Sequence, residues 1–101
     1  ERTVYFDSKK CRDMILRKVI IVNKAGMHTR PASTLVRIAS KYKSDFYIVK
    51  NGYQINGKSI IGVMTLAAEQ GSEVTLKFEG DDEEKAAAEI IKFFEDGFGE
   101  L

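Results

Sequence analysis

Asn51-Gly52 limits how this chain can fold more than any other dipeptide in it. Both residue types accept the positive φ angles of a two-residue type I′ turn. They stand between an apolar stretch at 45–50, carrying Phe46, Ile48 and Val49, and a second at Tyr53–Ile55, so these two segments are expected to form an antiparallel hairpin. A hairpin needs further strands and a covering layer. Leu16-Arg17-Lys18-Val19-Ile20-Ile21-Val22 is a β-branched run that reads as a strand buried on at least one face. Val74, Leu76 and Phe78 alternate with polar residues, the pattern of a strand covered on one side.

The covering layer is legible as helices. Between about Thr29 and Tyr42 the apolar positions Ala32, Leu35, Val36 and Ala39 follow i, i+3, i+4, i+7 spacing. Ser59 stands as an N-cap before a short helix through Ile60, Ile61, Val63, Met64 and Leu66. Asp81-Asp82-Glu83-Glu84 is expected to supply caps and dipole-matching acids to a last helix, whose Ala87, Ile90, Ile91 and Phe94 form a buried stripe and which Gly97 ends. The order β-α-β-β-α-β-α implies an α+β open-faced sandwich: a four-stranded, mostly antiparallel sheet covered on one face by three helices.

Residues 1–13 mix charges with scattered apolar side chains and are expected to be a flexible extension, leaving residues 14–101 as one domain. The chain has 101 residues, enough for one core. Its 44% hydrophobic and 31% charged content is that of a globular cytosolic protein. A formal net charge of +1 argues against a nucleic-acid binder that neutralises many phosphates. No run approaches the roughly 18 apolar residues of a membrane span, and no signal-peptide pattern is evident, so a cytoplasmic location without membrane insertion is expected. Cys11 and His28 are single, which excludes a disulfide framework and a convincing metal set.

That single histidine sits in Gly26-Met27-His28-Thr29-Arg30-Pro31-Ala32. Imidazole, with an ordinary pKa of about 6.5, keeps a large neutral, nucleophilic fraction near pH 7. Pro31 suits the first helical turn, where a backbone donor has no intrahelical partner. Free N–H groups around Thr29, Pro31 and Ala32, with the positive end of the helix dipole, would face an anion held beside His28. Arg30 adds a permanently charged fork that matches phosphate oxygens. Taken singly, a histidine near a helix start can be a surface or capping residue, and N-capping alone accounts for Ser59.

Together the two segments narrow the reading. Gly26–Ala32 resembles the active-centre signature of HPr, the histidine-containing phosphocarrier family of the bacterial phosphoenolpyruvate-dependent sugar phosphotransferase system. Asn56-Gly57-Lys58-Ser59-Ile60-Ile61-Gly62-Val63-Met64 resembles the regulatory serine site of the same family, at the family's interval from the histidine. The resemblance covers about Met14 to Glu100, and members ordinarily begin just before the first strand, so it implies that Met14 is the natural start and residues 1–13 are extra.

By that resemblance, His28 would take a phosphoryl group on Nδ1 from phosphorylated enzyme I and pass it to a histidine of a sugar-specific enzyme IIA, with Arg30 steadying the group in transit. The chain would be a covalent carrier rather than an enzyme, with no bound cofactor and as a monomer that offers one face to successive partners. Ser59 would be phosphorylated by an ATP-dependent HPr kinase/phosphorylase, and Ile60, Ile61 and Met64 would form the docking patch. A dianion there would repel acidic partners and could recruit a transcriptional co-regulator. Two relatives stay open as alternatives: a regulatory protein working through phosphoserine alone, against which His28 argues, and a nitrogen- or metabolism-sensing paralogue using His28 on other acceptors. A generic small-molecule-binding domain would leave both motifs unexplained.

Overall fold

A computed structural model describes residues 2–7, 12–66 and 68–100. Its strands are β1 (Arg2–Asp7), β2 (Arg12–Ile20), β3 (Asp45–Lys50), β4 (Tyr53–Asn56) and β5 (Glu73–Glu79). The helices are α1 (Thr29–Ala39), α2 (Ile60–Thr65) and α3 (Glu83–Glu95), followed by a 3₁₀ turn at Gly97–Gly99. The strands form one sheet in the order β1-β2-β5-β3-β4. Every neighbouring pair is antiparallel.

The four-stranded sheet and three helices expected from the pattern are therefore present as β2-β5-β3-β4 and α1 to α3. The hairpin turns as its sequence requires, with Asn51 at φ 51° and Gly52 at φ 84°. The first segment differs from expectation. Residues 2–7 are not an unpatterned extension: their backbone adds a fifth strand at the sheet edge, from Arg2 opposite Arg17 to Asp7 opposite Arg12. Thr3-Val4-Tyr5-Phe6 is a β-branched and aromatic run whose strand preference the flanking charges obscured. The expected boundary at residue 13 falls inside β2, while Cys11 lies outside the described residues.

The core fills the space between one sheet face and the helices. Strand β5 shows why the sheet is one-sided: Val74, Leu76 and Phe78 are buried while Glu73 is exposed and the residues between are half-buried. Phe78 lies opposite Phe46 of β3. Their rings stack 5.0 Å apart, tilted by only 13°. Leu35 of α1, Val63 of α2 and Ile90 and Phe94 of α3 complete the layer, each almost wholly buried. Burial of such side chains contributes about 1.5–3 kcal/mol apiece and holds the short α2 in place, a helix too short to persist by itself.

The acidic run before α3 behaves differently from a set of local caps. Asp82 occupies the N-cap position but makes no side-chain cap bond. Its carboxylate instead accepts the backbone N–H groups of Lys43 (2.9 Å) and Ser44 (2.8 Å), together with the Ser44 hydroxyl. Glu83 turns back to accept the Gly80 N–H at 2.9 Å. The start of α3 is thereby tied to the turn between α1 and β3, and Gly97 (φ 62°) follows the helix end as expected.

Candidate functional site

Three chain segments converge on His28. The loop before it is fixed at Gly26 (φ 70°), where an added Cβ would lie 2.6 Å from the Ala68 carbonyl oxygen. Met27 is buried and its N–H donates to that same carbonyl at 2.9 Å. The loop is therefore docked on the segment that follows α2. His28 is the N-cap of α1, and its carbonyl accepts the Ala32 N–H at 3.0 Å. Pro31 and Ala32 are buried, anchoring the first turn from below, while Thr29 and Arg30 are exposed.

This corrects the expected set of backbone donors. Pro31 has no N–H, and that of Ala32 already closes the first helical bond. Among the described residues, no backbone acceptor meets the N–H groups of Thr29 and of Arg30 itself. They point from the positive end of the α1 dipole, next to a half-exposed imidazole.

The third segment is a hook beyond α3. Gly97 (φ 62°), Phe98 (φ 59°) and Gly99 (φ 77°) are consecutive left-handed residues, which reverse the chain. That conformation costs a non-glycine residue about 1–2 kcal/mol. Burying the Phe98 ring, about 1.5–3 kcal/mol, outweighs it. The ring packs edge-on against Phe94 at 5.0 Å and tilted against Phe93 at 5.2 Å. Glu100 is thereby returned to the histidine, its Oε2 2.9 Å from His28 Nε2.

Asn23 completes the cluster. It is 1% exposed, and its Nδ2 donates to the Gly26 carbonyl at 2.9 Å and to Glu100 Oε1 at 2.7 Å. The Asn23 amide and then the His28 ring hold the Glu100 carboxyl below the usual carboxylate range, against partial burial, and the charge of Arg30 adds to the effect. An ionised carboxylate only accepts hydrogen bonds, so the contact puts a proton on Nε2, and in the neutral ring the lone pair is then on Nδ1. No described residue hydrogen-bonds Nδ1. Neither Asn23 nor Glu100 stood out in the sequence; the only signal for the second was the pair of glycines flanking Phe98.

Ser59 is the N-cap of α2, its Oγ accepting the Gly62 N–H at 3.2 Å. Within α2 only Val63 is buried. Ile60, Ile61 and Met64 remain 40%, 76% and 39% exposed. Helix α2 packs beside α1, and the Met27 bond to Ala68 joins the segment after α2 to the histidine loop.

Comparison with known proteins agrees with this geometry. Residues 15–96 match the model of the family described as PTS HPr component phosphorylation site. The chain is 41% identical over 87 residues to the phosphocarrier protein HPr of Treponema pallidum, covering 86% of this chain and 99% of that protein. It is 40% identical over 82 residues to the HPr-like protein Crh of Halalkalibacterium halodurans, covering 81% and 98%. The crystal structure of HPr-C-His from Thermoanaerobacter tengcongensis superposes with a TM-score of 0.82 at 42% identity, covering 85% of this chain and 97% of that one.

Proposed function

The chain belongs to the HPr family of phosphotransferase-system phosphocarriers, and on that premise we propose that His28 carries a phosphoryl group from phosphorylated enzyme I to enzyme IIA of a sugar transport system. One observation supports this most directly: Nε2 of His28 is held by Glu100 while Nδ1 has no described partner, at a helix start where two N–H groups have no backbone acceptor among the described residues and Arg30 stands alongside. Such a site supplies what phosphoryl transfer needs, which is positioning and electrostatic stabilisation of the charge on the transferred group. Arg30 and the N–H groups of Thr29 and Arg30 neutralise the equatorial oxygens. No resident cofactor is required, and the carrier works as a cytoplasmic monomer.

Ser59 adds a regulatory layer to this reading. Its hydroxyl lies at the start of a helix whose Ile60, Ile61 and Met64 face solvent, so a phosphate placed there by an HPr kinase would alter the docking surface without entering the core. Similarity to the HPr-like protein Crh favours a second, signalling reading through Ser59. His28 distinguishes the two. Incubation with enzyme I and labelled phosphoenolpyruvate should give acid-labile label that His28→Ala abolishes; label persisting in that variant would overturn the carrier assignment.

A further inference from the structure

We infer that the outer edge of β4 is a docking site for an extended acidic peptide, which adds a strand beside Gln54, seats a bulky apolar side chain against Tyr53 and Ile55 and sets its acid by Lys50. Strand β4 ends the sheet and pairs with β3 alone. The Gly57 N–H bonds the Phe46 carbonyl at 2.8 Å, one step along the ladder from Tyr47 opposite Asn56. Bonded and non-bonded pairs alternate in an antiparallel ladder, so Ile48 with Ile55 and Lys50 with Tyr53 are bonded, whereas Val49 with Gln54 and Tyr47 with Asn56 are not. The backbone groups of Gln54 and Asn56 therefore point away from β3. The Ser59 N–H donates to the Asn56 carbonyl at 3.1 Å. The Asn56 N–H and both backbone groups of Gln54 meet no backbone partner among the described residues.

Folded chains ordinarily blunt an open edge with charge, proline or a covering segment. None of Tyr53, Gln54, Ile55 and Asn56 is charged or a proline, and all but Ile55 are exposed. A strand bonded to Gln54 turns the residues on either side of that contact to the face that carries Tyr53 and Ile55. On that face a cleft of about 350 Å³ lies between the hairpin and the end of α2, walled by Tyr53, Ile55 and Leu66 and lined also by Lys50. The Tyr53 ring is 75% exposed, an apolar surface with little packed on it. Lys50 forms no ion pair among the described residues, so its charge selects an acid. A second copy is the poorer occupant, because its β4 has no acidic residue to offer. Strand addition takes affinity from main-chain bonds and specificity from pockets for alternate side chains, and this edge supplies both. The surface uses neither His28 nor Ser59 and is independent of the carrier reading.

The probe is a random heptapeptide library displayed on phage and selected on the full chain, after which the consensus peptide is synthesised. Selection should enrich sequences that set an acidic residue close to a bulky apolar one. In spectra of the ¹⁵N-labelled chain, that peptide should move the amide signals of Gln54 and Asn56 and slow their hydrogen exchange. Gln54→Pro removes an outward donor and spares the ladder to β3, so it should fold and bind about tenfold more weakly, the loss expected of one hydrogen bond. Lys50→Glu should weaken the same peptide by about twofold to fivefold, the size of an exposed ion pair, and a repeat selection on it should enrich basic sequences. No enrichment, signal changes confined to other residues, or an acidic consensus retained by Lys50→Glu overturns the inference. Concentration-dependent dimerisation that moves the same two amides without peptide overturns it as well, by giving the edge to a second copy.

Discussion

Gly57 lies so close to Phe46 that a Cβ on it would sit 2.1 Å from the ring's Cδ2. Its N–H also donates to the Phe46 carbonyl at 2.8 Å, so backbone and ring are fixed together. The bend continues as the Ser59 N–H reaches the Asn56 carbonyl at 3.1 Å, which sets where α2 begins. Phe46 cannot yield easily, being stacked on Phe78 in the core. Gly57→Ala should therefore destabilise the fold by about 1–3 kcal/mol through overpacking, read as a lower urea midpoint at unchanged slope. A midpoint equal to wild type would show that the ring can move aside.

Asp82 should govern part of the acid sensitivity. The Ser44 hydroxyl, followed by the Lys43 and Ser44 N–H groups, holds its carboxyl down from 3.8 to about 2. A folded-state value below the unfolded one adds stability that is fully present above the unfolded value, near pH 4, and is lost as the pH falls through about 2. Asp82→Ala should be less stable than wild type at pH 7, and the gap should close between pH 4 and pH 2. Urea titrations at pH 7, 4 and 2 measure it; a constant gap would place the effect outside this carboxylate.

Arg30 is exposed and forms no ion pair among the described residues, so its replacement should leave the fold intact. Its role is then open to a kinetic test. Arg30→Ala should slow phosphoryl transfer from enzyme I by about a hundredfold, as loss of a donor to a developing oxyanion does. Arg30→Lys keeps a charge but not the planar fork and should fall between. Wild-type rates in both variants would remove Arg30 from the transfer step.

These residues also mark how far sequence carries. Asn51-Gly52 and the Ala32, Leu35, Ala39 stripe were legible because turn angles and helix faces are set by near neighbours. Asp82 was misread for the same reason: local rules assign an acid before a helix to capping, yet its partners are Lys43 and Ser44 in another turn. Glu100 was invisible. It reaches His28 across 72 positions through a left-handed Phe98, and no local preference signals positive φ at phenylalanine. The proposed phosphoryl acceptor, His28, was readable as a motif, while the groups in contact with it come together only once the core is assembled.

Ser59 separates capping from signalling. Its Oγ holds the Gly62 N–H, so Ser59→Ala should lose about 1 kcal/mol of stability, whereas Ser59→Asp keeps an acceptor and adds charge favoured by the helix dipole. Thermal or urea unfolding should thus rank the aspartate variant above the alanine one. Function should rank them in reverse, because Ser59→Asp sets a negative charge beside the exposed Ile60, Ile61 and Met64. Its KM for enzyme I should rise, and the rise should shrink as salt screens the repulsion. Transfer kinetics at low and high ionic strength decide the matter: a KM unchanged in Ser59→Asp, or raised equally at every salt concentration, would show that charge at this position does not control docking.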